Sequence, residues 1–128
     1  MTNLLVVKNL LDTRAVLAFI FIYHGLVPKL LYLSPQEVAM IQAHGDFWPV
    51  ETVAFIGGVA EVVLGLMILY FRRHDWPIVI ALAALILLLL DVAIFSPEYL
   101  IAAFNPVTTN IASIALCLSV LKSHRSPS

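Results

Sequence analysis

One cysteine, Cys117, stands in the whole chain, and that scarcity removes several chemistries at once. A lone thiol can form no internal disulfide, no C-x-x-C motif and no iron-sulfur cluster. Of four histidines only His24 falls inside an apolar run; His44, His74 and His124 lie outside them. A haem held between two helices by paired histidines would need a second one in the membrane, so a haem protein is disfavoured. Metal and flavin signatures are also missing, and no metal is expected. Lys and Arg number seven against eight Asp and Glu, which leaves no basic footprint for nucleic acid. The opening "MTNLLVVKNLLDTR" has few early positive charges, and no A-x-A site follows the first apolar run. No cleaved signal peptide is expected, and the first span is its own anchor.

What is present is apolar. Of 128 residues, 62% are hydrophobic and 12% charged, far from the balance of a soluble domain. Four runs, about 14–33, 51–71, 76–95 and 98–121, each approach the ~20 residues that a helix needs to cross the hydrocarbon. The expected fold is all-α: an integral membrane four-helix bundle, one domain over residues 1–128. Lys8 and Arg14 precede the first span, Arg72 and Arg73 join the second to the third, and Lys122 and Arg125 follow the fourth. The other two connections, "SPQEVAMIQAHGDFWPVE" and "SPEY", have neither Lys nor Arg. The positive-inside rule therefore puts both termini in the cytoplasm.

The connections carry helix punctuation. In "SPQEVAMIQAHG", Ser34 suits an N-cap, Pro35 the first helical position, Glu37 the return half of a capping box and Gly45 a stop. A short interfacial helix of about ten residues is expected after the first span. Ser96 and Pro97 repeat the start signal. In "FNPVTTN", Pro106 forces the fourth span to kink, or to stop at Phe104 and restart with Asn105 as cap. The third span, the most apolar, is expected to contact lipid most.

Ionisable groups inside a bilayer are costly and rarely face lipid. Here they are His24, Lys29, Glu61 and Asp91, with Asn105 beside them. Counting along the spans puts His24 and Glu61 near the midplane, and Lys29, Asp91 and Asn105 in a layer about 7 Å further out. Helical spacing aligns Ala18, Ile22, Gly25 and Lys29 on the first span, and Ala54, Gly58, Glu61 and Gly65 on the second. On the fourth it aligns Asn105, Thr108, Ala112, Ala115 and Ser119. Small residues permit close helix contact, so all three stripes are expected to face a common interior. Plainer roles compete: Lys29 snorkelling to the headgroups, Asp91 reaching water, His24 holding a neighbouring helix by one hydrogen bond. A midplane carboxylate such as Glu61 must be protonated, paired or hydrated, and each state invites proton or ligand chemistry. Trp48, Tyr99, Tyr32 and Trp76 at span ends need only an interfacial-belt role.

The segments "YHGLVPKLLYLSPQEVAMIQAHG", "GGVAEVVLG" and "AFNPVTTNIA" together resemble the DoxX-like family of small four-helix bacterial membrane proteins. The resemblance covers nearly the full chain. It implies an inner-membrane bundle, with relatives linked to terminal quinol oxidase or thiosulfate:quinone oxidoreductase complexes. Similar bundles also serve as cargo receptors and assembly chaperones, so fold alone does not decide function. The favoured reading is an accessory subunit of a membrane redox system rather than an independent catalyst. Its ligand pocket would take a quinone or lipid-like molecule, lined by His24, Lys29, Glu61, Asp91 and Asn105, with Tyr23 as a further donor. Expected partners are the bilayer, a membrane oxidoreductase and other copies of the chain. The alternatives are a non-catalytic scaffold or assembly factor, and a proton-coupled carrier of a small solute that would require oligomerisation.

Overall fold

A computed structural model describes residues 2–103 and 105–125. Five α-helices follow in order: α1 Thr2–Gly25, α2 Pro35–Gln42, α3 Val50–Tyr70, α4 Trp76–Phe95 and α5 Pro106–Arg125. No strand occurs among the described residues. Among the described residues four segments are long and apolar enough to cross a membrane, namely Thr13–Leu31, Val50–Tyr70, Trp76–Phe95 and Pro106–Ser123. The all-α bundle with a short extra helix after the first span is therefore what the chain forms.

Two punctuation marks act differently from one another. At Pro28 the helix does not stop; α1 runs on as a π-helical turn, Leu26–Leu31. Before α5 it does stop, because a 3₁₀ turn at Pro97–Ile101 ends and Pro106 opens a new helix. The fourth span thus begins at Pro106 rather than near 98. Asn105 is its cap, its Oδ1 accepting from Thr108 N at 3.0 Å. Phe104, the expected stopping point, lies outside the described residues.

The first two stripes meet as their spacing predicts. Ala18 and Gly25 on α1 and Ala54, Gly58 and Gly65 on α3 are buried. A β-carbon added to Gly25 would lie 2.5 Å from Gly58 O, one on Gly58 2.8 Å from Gly25 O, and one on Gly65 2.8 Å from Ala18 O. Backbone touches backbone along this crossing, which side chains at these positions would prevent. The α5 stripe behaves otherwise: Thr108, Ala112, Ala115 and Ser119 are exposed, and α5 instead buries Ser113, Cys117, Val120 and Leu121. In this rotation Asn110 donates its amide to Leu85 O on α4 at 3.3 Å. Spacing alone could not sense that tether.

Packing is uneven along the bundle. Leu17, Phe21, Leu64, Ile68, Ile78, Ala81, Leu85, Cys117 and Val120 form a close core in the half nearest the α3–α4 turn. Arg14 closes that end. Its side chain is 1% exposed, and its guanidinium donates to Ile68 O and Phe71 O, both at 3.3 Å, and to His74 O. The Ile68 and Phe71 carbonyls lie at the C-terminal end of α3, where the helix dipole favours a cation, and the His74 carbonyl lies in the connection that follows. The opposite half, covered by α2, holds the open space described next.

Gly57 and Gly58 provide a paired test of the crossing. Gly58→Ala should lower stability by about 1–3 kcal/mol through overpacking. Gly57, with nothing within 4 Å of an added β-carbon, should accept alanine at no cost or with a small gain. Thermal unfolding in detergent compares them; equal midpoints would mean that the crossing does not depend on glycine.

Candidate functional site

The local structure around Lys29 starts from Pro28. Proline has no N–H and crowds the carbonyl four residues back, so His24 O loses its helical partner. Lys29 Nζ takes that acceptor at 3.4 Å. The π turn, a widening often found at functional sites, carries the lysine toward α3 rather than out toward headgroups. There Nζ meets both oxygens of Glu61, at 3.1 and 3.0 Å. It also lies 3.4 Å from Glu37 on α2. Side-chain exposures of 14% for Lys29, 17% for Glu61 and 16% for Glu37 make this a half-enclosed triad.

Glu37 was expected to close a capping box, and only half of that box forms. Ser34 Oγ accepts from Glu37 N at 3.2 Å, but Ser34 N bonds to Pro28 O at 3.0 Å. The second carbonyl exposed by the π turn takes the donor that the Glu37 carboxylate would have had. That carboxylate turns to Lys29 instead. Lys29 therefore pairs with Glu61 and Glu37 rather than with Asp91 and Asn105, the residues expected to share its layer.

Asp91 finds its partner in the loop after α2. His44 Nε2 lies 2.6 Å from Asp91 Oδ1, and Nδ1 lies 2.9 Å from Met40 O. Only an imidazolium donates at both nitrogens, so protonation satisfies both contacts together. Asp91, first and foremost through its hydrogen bond, holds the His44 pKa above its ordinary value of 6.5. The His44 ring also stacks on Phe95 with centroids 4.2 Å apart. Asn105, besides capping α5, donates Nδ2 to Ala102 O at 3.0 Å.

All five residues singled out in the sequence line one cavity of about 680 Å³. His24, Lys29, Glu61, Asp91 and Asn105 share its wall with Glu37, His44, Gln36, Trp48 and Asn110, none of which sequence reasoning had placed there. The rest of the wall is largely apolar, including Ile41, Val53, Ala54, Leu88 and Val92. Glu37 carries a capping signal in the sequence, and His44 and Asp91 are too far apart in sequence for spacing to relate them. Their one common signal is that both are ionisable groups at the same end of the bundle. Donor roles also change. Lys29 and Asn105 spend their N–H groups inside the protein, whereas the His24 ring, the Gln36 amide and the Trp48 indole have no hydrogen-bond partner in the structure.

The profile of the DoxX-like family matches residues 18–118. The chain belongs to this family. No curated protein and no solved structure matches it. The matched stretch of this DoxX-like protein contains every residue that lines the cavity. With its four apolar helices, this member of the family is a multi-pass membrane protein in contact with lipid.

The His44–Asp91 contact predicts a pH dependence with a definite sign. A histidine whose folded pKa is raised stabilises the fold fully below the unfolded value, about 6.5, and that contribution is lost as pH rises through the folded value. The exposure of both side chains limits it to about 1 kcal/mol or less. The unfolding midpoint of the wild type relative to Asp91→Asn should be highest below pH ~6.5 and should converge at alkaline pH. A difference that grows with pH would contradict the assignment.

Proposed function

We propose that this DoxX-like protein is an accessory subunit of a membrane redox system, and that its cavity holds a quinone or a similarly lipid-like molecule. One observation carries the reading: a cavity of about 680 Å³ in which mostly apolar walls meet two groups of ionisable side chains, the Lys29 triad and the His44–Asp91 pair. That size and that mixture suit a small amphiphilic ligand, with an apolar body buried and a polar head oriented. The free donors for a head-group carbonyl are His24, Gln36 and Trp48; Lys29 and Glu61 form the charged floor beside them. A bound quinone would supply the electron-carrying chemistry that the side chains lack. The chain's own residues would bind it, orient it and exclude water. An oxidoreductase partner would deliver or collect the electrons.

The distribution of Lys and Arg supports a bacterial inner-membrane orientation with both termini cytoplasmic and the α2 end outward. A scaffold or assembly role is the second reading. It is favoured by the closure of the Lys29 bonds within the protein, since the triad joins the end of α1, α2 and α3 whether or not a ligand is present. A proton-coupled carrier would need further copies of the chain to complete a path.

Gly57 lines the cavity with open space at its β position, so a larger residue there has room to begin filling the cavity. Decylubiquinone titrated into the purified protein should quench Trp48 fluorescence saturably. Gly57→Leu should weaken that binding at least about tenfold at an unchanged melting temperature. No saturable binding by the wild type would remove the ligand reading and leave the scaffold.

A further inference from the structure

The cavity has a charge imbalance. Its ionisable lining comprises Lys29, Glu37, Glu61, Asp91, His24 and His44. His24 and Lys29 come from α1 and its π turn, Glu37 from α2, His44 from the following loop, Glu61 from α3 and Asp91 from α4; α5 adds only neutral groups, Asn105, Thr109 and Asn110. His44 and Asp91, in hydrogen-bond contact, balance each other when the imidazole is protonated. The other end does not balance. Lys29 serves two carboxylates, Glu61 at 3.0 Å and Glu37 at 3.4 Å, so with both carboxylates ionised and the His24 imidazole neutral one negative charge is left over.

Water in an open cavity can solvate that charge. A ligand that fills the cavity removes the water, and the cost of an unbalanced charge rises as the local dielectric falls. Lys29 is already bonded to both carboxylates and to His24 O, so it cannot offset the excess by moving to one partner. One further positive charge is required. For an uncharged occupant it must come from solution.

We propose that the cavity takes up an uncharged amphiphile together with one proton, held on the carboxylates of the Glu37–Lys29–Glu61 triad. The proposal rests on the ligand reading above and adds a stoichiometry to it. The proton is gained as the ligand enters: a carboxylate becomes a carboxylic acid, no covalent bond to the ligand forms, and no electron moves. Affinity for an uncharged ligand consequently falls as pH rises, by tenfold per pH unit wherever a full proton is taken up. A cationic amphiphile brings its own charge and escapes this dependence.

Calorimetry on the full chain in detergent, in buffers of different ionisation enthalpy, counts the proton directly. Decylubiquinone is the first probe and monoolein, an uncharged lipid, the second. The wild type should take up close to one proton per bound molecule. Glu37→Gln, which preserves the α2 cap because Ser34 Oγ accepts from the backbone at that position, should bind with uptake near zero and with pH-independent affinity. Glu61→Gln should do the same. Infrared difference spectra of the wild type should gain a protonated-carboxyl band that shifts in D₂O, and either variant should lose it. Binding without uptake, uptake undiminished in both Gln variants, or uptake without the carboxyl band would each overturn the proposal. Failure of decylubiquinone with coupled binding of monoolein would remove the quinone and keep the proton. Failure of both probes to bind would remove the ligand reading and the coupling together.

Discussion

The contact on which the rest of the structure depends is the backbone crossing of α1 and α3 at Gly25, Gly58 and Gly65. Bilayer tails are as apolar as leucine side chains, so burial alone does little to hold transmembrane helices together; close packing and polar contacts must do it. With backbone atoms approaching where no β-carbon could fit, α1 and α3 become a closely packed pair. Glu61, three residues after Gly58, is thereby brought opposite the end of α1. The lysine that meets it can do so only because the two helices are this close.

Pro28 supplies the second condition. An unbroken α-helix would bond the carbonyl of His24 and carry Lys29 along its regular path. The missing donor and the π turn leave two carbonyls, those of His24 and Pro28, to be satisfied from elsewhere. One takes the lysine and the other takes Ser34 N. Ser34 in turn starts α2, and Glu37 on α2 completes the triad. A single imino acid thus links the course of the first span, the position of the covering helix and the electrostatics of the cavity.

These local effects produce a bundle with two unlike halves. Toward the α3–α4 turn the four helices share a close core, sealed by Arg14 on the last carbonyls of α3. Toward α2 the same helices enclose space. Asn110 on Leu85 O tethers α5 near the boundary between the halves, and the His44–Asp91 pair ties the loop after α2 to α4. His24, Lys29, Glu61 and Asp91, the ionisable groups that stood out within the apolar spans, all line this space.

Much of this was legible in one dimension. Composition and run length determined a membrane bundle of four spans, and 3.6-residue spacing determined which faces of the first two spans meet, because both depend only on neighbours within one helix. Ser34, Pro35 and Asn105 announced their caps for the same reason. The candidate residues His24, Lys29, Glu61, Asp91 and Asn105 stood out through the cost of polar groups in hydrocarbon. Their partners did not. Lys29 has about 6 Å of flexible stem, so its position in sequence does not say which carboxylate it reaches. Only the tertiary structure decided that it joins Glu61 and Glu37, that His44 joins Asp91, and that α5 turns its small-residue stripe outward. Each of those outcomes depends on how one helix is rotated and displaced against another, and that is set by a proline defect and a few long-range hydrogen bonds rather than by any period in the chain.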